Sequence, residues 1–156
     1  MDATASSHRP WFRFSVAFLL ALAPLLLLRP SPVRGESMAP TYRDGALVLA
    51  TRAWAAGAPK RGEVWVVQGP EGPTLKRVLG LPGETVTLKG PRLYVDGLWI
   101  DEPWVRWPER EDMGPWACGE GYLLLGDNRP RSRDGRAWGP LPRTAFLARV
   151  AGPQVR

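Results

Sequence analysis

The chain holds one cysteine, Cys118, and one histidine, His8, in 156 residues. A single cysteine excludes any intrachain disulfide, so the redox compartment cannot be read from disulfide usage. One cysteine and one histidine also leave too few soft ligands for a zinc site or a similar metal site, and no metal or other cofactor is expected. Long helical periodicity is missing after residue 30, and no internal repeat is present. Basic residues outnumber acidic ones, for a net charge of +6, but they are scattered without a dense run. Solvated surface charge therefore explains them better than a nucleic-acid or anionic-lipid partner.

What is abundant points to a β-rich domain. Proline and glycine number 17 each, and there are eight tryptophans. Short apolar stretches alternate with turn signals. The predicted strands are 46–51, 63–68, 74–80, 85–90, 92–97, 98–100, 122–126 and 146–151. Asp96-Gly97, between "LYV" and "LWI", is a strong two-residue hairpin signal. An antiparallel β-barrel or Greek-key-like domain is the expected fold. The segment 101–120 has no strand pattern and reads as a surface loop.

One long apolar run stands apart. Residues 11–28, "WFRFSVAFLLALAPLLLL", are charge-free from Ser15 onward and just long enough to cross a bilayer. A cleavable signal peptide is the rival reading. Against it, Pro24 directly follows Ala21-Leu22-Ala23, where a cut would need small residues without proline. The expected organisation is a short cytoplasmic tail at 1–10, an anchor at 11–28 and an extracytoplasmic domain at 29–156. His8 then lies across the membrane from the domain. Any serine nucleophile there must use a base other than histidine.

The stretch "RGESMAPTYRDG", 34–45, contains Ser37 with no base beside it. Lys76 is a candidate base 39 positions on, because it sits inside a strand pattern rather than at a turn. Period-two alternation puts it on one face with Thr74 and Val78, opposite Leu75 and Arg77. Burial on that face would disfavour the ammonium and lower the pKa. The competing reading is an edge-strand lysine with its amine in water. A third stretch, "GYLLLGDNRPRSRDGRAWGPLP" (121–142), runs from a strand into a polar loop with Asp127, Ser132, Asp134 and Arg136. That loop is either a well-bonded turn or a support for the lysine.

Together these stretches resemble the bacterial type I signal peptidases, membrane-anchored Ser-Lys endopeptidases. "SMAPTYRDGALVL", "KRGEVWVV", "LKRVLGLPGE", "LYVDGLWIDEPW" and "GDNRPRSRDGRAWGP" are similar to five boxes of that family, in order. The short chain resembles its compact single-anchor form, at the cytoplasmic membrane with the catalytic domain outside.

The resemblance implies Ser37 as nucleophile and Lys76 as general base, with Ser132 bonding the Lys76 amine. It implies Arg77, Asp127, Asp134 and Arg136 as a supporting salt-bridge network. Met38 would shape the pocket for the residue before the cut, and Thr74 and Leu75 would lie along the bound substrate. The implied partners are signal peptides of translocated preproteins and the lipid bilayer, and the implied cuts follow small residues at −1 and −3. The family pattern is broken at Gly35, where some members have a serine that helps hold the oxyanion, and at Gly135, where serine is usual. Other readings remain a pilin-type maturation peptidase, a self-cleaving repressor, or a tethered β module that only binds peptides. The anchor and the lack of a DNA-binding helical domain weigh against the repressor.

Overall fold

The computed structural model describes residues 26–152. Ten strands are present among the described residues: β1 (Leu28–Pro32), β2 (Leu47–Arg52), β3 (Val64–Gly69), β4 (Gly72–Gly80), β5 (Thr85–Lys89), β6 (Arg92–Val95), β7 (Leu98–Ile100), β8 (Met113–Ala117), β9 (Leu123–Leu125) and β10 (Phe146–Val150). Two single-turn helices, α1 (Ala53–Ala56) and α2 (Gly135–Trp138), join them. Every strand pairing is antiparallel. The strands form two sheets, one of six in the order β1-β2-β10-β3-β4-β9 and one of four in the order β7-β6-β5-β8. The fold is mainly β, as expected. The pairings give two sheets with free edges in place of one closed barrel.

Two strands lie where none was expected. β8 falls in the supposed loop 101–120 and pairs with β5, correcting that reading. β1 begins at Leu28, which the expected anchor included. The reason is the same in both: β1 carries Pro30 and Pro32, β8 carries Gly114 and Pro115, and both are edge strands. A proline has no N–H to give to a ladder, so it is tolerated where one side of the strand is unpaired. The Asp96-Gly97 turn has φ of 49° and 80°, the left-handed geometry of a tight hairpin, and it joins β6 to β7. Residues 11–25 of the expected anchor lie outside the described residues. Among those described, no helix is long and apolar enough to cross a membrane.

β4 is the strand that positions the site. Its first half pairs with β3 alone, and β9 joins it from Arg77 onward. Both of its faces are buried. Leu75 packs with Met38, Val48 and Val66, Val78 with Trp65 and Leu124, and Leu79 with Val86 and Leu123. Where β4 meets β5 the packing is too close for a side chain. A Cβ on Gly80 would stand 2.5 Å from Cys118 Sγ and 2.7 Å from Val86 Cγ2. Cys118 is thus a buried filler at the contact between the two sheets.

Candidate active site

Ser37 lies in the loop between β1 and β2. That loop is closed by its own backbone: Val33 N–H donates to Ala46 O, Gly45 N–H to Val33 O, and Tyr42 N–H to Met38 O. Gly35 has φ +80° and donates its N–H to Asp44 Oδ1 at 2.8 Å. This left-handed conformation suits glycine, and a serine in its place would carry backbone strain. The loop after β9 then pins the nucleophile segment. Asn128 N–H donates to Ser37 O at 3.0 Å, and Asn128 Nδ2 donates to Glu36 O at 3.1 Å. Between them Gly126 leaves just enough space, since a Cβ there would press on Ser132 and come 2.6 Å from Ser37 O. The Ser37 N–H itself has no acceptor among the described residues.

Lys76 reaches this loop from β4 and is only 2% exposed. Its Nζ lies 3.0 Å from Ser37 Oγ, 3.0 Å from Thr74 Oγ1 and 2.9 Å from Leu75 O. Burial pulls its pKa down from 10.5 to about 8. Desolvation is the largest cause. The negative charges of Asp134 and Asp127 push the other way, and Arg136 adds a smaller lowering.

The expected supporting residues form two separate clusters rather than one network. Arg77, fully buried, makes a fork with Asp127: Nε donates to Oδ1 at 2.8 Å and Nη2 to Oδ2 at 2.7 Å. Thr41 Oγ1 donates to the same carboxylate at 2.6 Å, and the Trp104 ring stacks on the guanidinium at 4.3 Å. Asp134 caps α2, accepting from Arg136 N–H and Nε with Oδ1 and from Gly126 N–H with Oδ2. Arg136 also donates to Glu109 Oε2 and to the carbonyls of Arg129 and Ser132. The two clusters therefore fix Gly126 and Asp127, the residues just before the Asn128 clamp.

Two of the expected side-chain contacts are not made in this structure. The hydrogen bond from Ser132 to the Lys76 amine is absent: Ser132 Oγ is buried and unpartnered, and Thr74 fills that position. Met38 is fully buried in the core with Tyr42 and Leu75, and it lines none of the clefts described here. Thr74 and Leu75 do line a cleft of about 230 Å³, opposite Arg29, Ser31, Pro32 and Arg34. Thr41, Asn128 and the buried Arg129–Glu102 pair were not anticipated. The box "GDN" contained Asn128, but only the tertiary contact gives it a task. Trp54, Trp99 and Trp107 are exposed, whereas Trp104 and Trp116 pack against the core.

Comparison with known proteins bears on what this arrangement belongs to. The family model described as "Signal peptidase, peptidase S26" matches residues 9–154. The chain is 35% identical over 154 residues to signal peptidase I of Bacillus licheniformis, covering 86% of this chain and 83% of that one. It is 30% identical over 159 residues to signal peptidase IB of Staphylococcus aureus, covering 88% and 83%. A crystal structure of a signal peptidase I from Enterococcus faecalis V583 superposes with a TM-score of 0.52 at 24% identity, over 60% of this chain and 97% of that one, a likeness of fold. With the model match spanning nearly the whole sequence and both relatives aligned over most of their length, the chain belongs to the signal peptidase family, peptidase S26.

Proposed function

We propose that this chain is a membrane-bound serine endopeptidase that removes signal peptides from exported preproteins, with Ser37 as nucleophile and Lys76 as general base. The observation that carries the reading is the buried Lys76 Nζ, 3.0 Å from Ser37 Oγ. A neutral amine has two N–H donors and one lone pair. Leu75 O and Thr74 Oγ1 match the two donors, which leaves the lone pair for the Ser37 hydroxyl proton. Lys76 then takes that proton as Ser37 Oγ attacks the carbonyl carbon of the −1 residue. The C–N bond of the tetrahedral intermediate breaks as Lys76 returns the proton to the leaving amine. A water deprotonated by Lys76 hydrolyses the acyl-enzyme and releases the acyl segment.

The uncommitted Ser37 N–H is the donor best situated for the oxyanion, and with Gly35 in place of serine that donor carries more of the task. Ser132 keeps a buried, unpartnered hydroxyl and is our further candidate for orienting the amine during the cycle. Substrate binding follows from the sheet edges. β1 is the end strand of its sheet, and β4 has no partner on its β9 side before Arg77. The cleft between β1 and Thr74–Leu75 thus has unpaired backbone on both walls, suited to an extended peptide added as a strand. Strand addition grips the backbone without reading sequence, which suits substrates sharing little beyond small side chains.

A cleavage assay in detergent with a preprotein cut after Ala-x-Ala tests the reading. Wild type is expected to cut at that site, and Ser37→Ala and Lys76→Ala are each expected to abolish cutting. Full activity in Lys76→Ala would overturn the mechanism, and a wild type that binds without cutting would favour the tethered peptide-binding module.

A further inference from the structure

The loop that carries Ser37 contributes Arg34 to the strand-edge cleft and Glu36 and Ala39 to a second one, and the strand-edge cleft accounts for one side of a substrate only. The second cleft, about 580 Å³, begins at Glu36, beside the nucleophile, and Ala39, two residues past it, and continues along Arg43, Trp107, Asn128 and Arg131. It is tied to the nucleophile through backbone. Asn128 holds Ser37 O, and Trp107 is joined to Asn128 by a parallel β-bridge. The Trp107 side chain is 44% exposed.

The charges of this cleft are unequally engaged. Asp44 accepts the Gly35 N–H, and Glu36 faces Arg131 at 3.7 Å. Arg43 is exposed and forms no ion pair among the described residues. The cleft therefore offers an aromatic wall and one uncommitted cation.

We propose that this second cleft holds the residues that follow the cut bond, the first residues of the mature chain, and that it favours an acidic side chain among them. A polypeptide laid along β4 with its scissile carbonyl at Ser37 must continue past Ser37. The cleft bounded by Glu36, Ala39 and Asn128 lies against the nucleophile's own loop. Trp107 supplies apolar contact to that segment, and Arg43 faces a carboxylate on it. Binding there holds the leaving segment in line with Ser37 before the bond breaks. This inference rests on the peptidase reading above.

The test uses the full chain in detergent and three peptides identical up to the cut. One continues for five residues containing two aspartates, one for five with two lysines in their place, and one ends as an amide after the first residue. Wild type is expected to show a kcat/KM about threefold to fivefold higher for the aspartate peptide than for the lysine peptide, the range of an exposed charge pair. Arg43→Gln is expected to bring that ratio close to one.

Trp107→Ala is expected to reduce the ratio of kcat/KM for the aspartate peptide over the truncated one by about tenfold. That corresponds to about 55 Å² of apolar contact at ~25 cal/mol/Å². A fall of equal size on the long and truncated peptides would make Trp107 merely structural and overturn the proposal. So would an acid-to-base ratio unmoved by Arg43→Gln. Failure of wild type to cut any of the three peptides would strike the peptidase reading itself, so the two failures are distinguishable.

Discussion

If Lys76 is the base, the reaction must follow its deprotonation, and the structure sets where on the pH axis that occurs. The amine is 2% exposed and its pKa is lowered from 10.5 to about 8, chiefly by burial. That lowering corresponds to roughly 3 kcal/mol of preference for the neutral form. At pH 7 about one molecule in ten then carries a neutral Lys76, against about one in 3000 for a lysine at its ordinary value, a gain of roughly 300-fold in competent enzyme. The assay is kcat/KM for a peptide with no group titrating between pH 6 and 10. Its logarithm should rise with unit slope to an inflection near 8 and level off above it. A profile flat from pH 6 to 9 would mean the proton leaves Ser37 by another route. An inflection near 10.5 would mean the amine is solvated when it works. Either result refutes the argument from burial.

The same burial acts on stability. Because the folded pKa lies below the unfolded one, the unfolded chain binds more protons between them. The penalty on the fold is fully present below pH 8 and disappears as the pH climbs toward 10.5. Lys76→Met should stabilise the fold at pH 7 by about 2 kcal/mol after the lost hydrogen bonds, read as a higher melting temperature, and the gap between variant and wild type should close by pH 10.5. Asp127→Asn keeps the shape but leaves the buried Arg77 uncompensated, so a urea midpoint should report a loss of about 3–5 kcal/mol. Thr74→Val removes the acceptor for one Lys76 N–H, and kcat/KM should fall about tenfold with little change in melting temperature. Gly126→Ala puts a methyl group 2.6 Å from Ser37 O, and the displaced nucleophile should cost about 100-fold in kcat.

Local pattern in the sequence determined most strands, the Asp96-Gly97 hairpin and the face of β4 on which Lys76 stands with Thr74. These depend on alternation and turn chemistry over a few residues, which neighbours along the chain carry by themselves. β1 and β8 were illegible for the converse reason: prolines obscure a strand pattern and are compatible with a strand only at a sheet edge, and edges are a property of the assembled sheet. The pairing of Ser37 with Lys76 could be suspected from the absence of any other base. Its 3.0 Å separation is set by β4 lying beside the β1–β2 loop. The tertiary structure alone decided that Thr74, rather than Ser132, bonds the amine, that Met38 belongs to the core, and that Thr41 and Asn128 serve the site. A hydrogen bond between side chains 86 residues apart, as from Thr41 to Asp127, depends on which strands meet and in what register. Composition and periodicity say that a residue is inside, and only the packed chain says what it touches there.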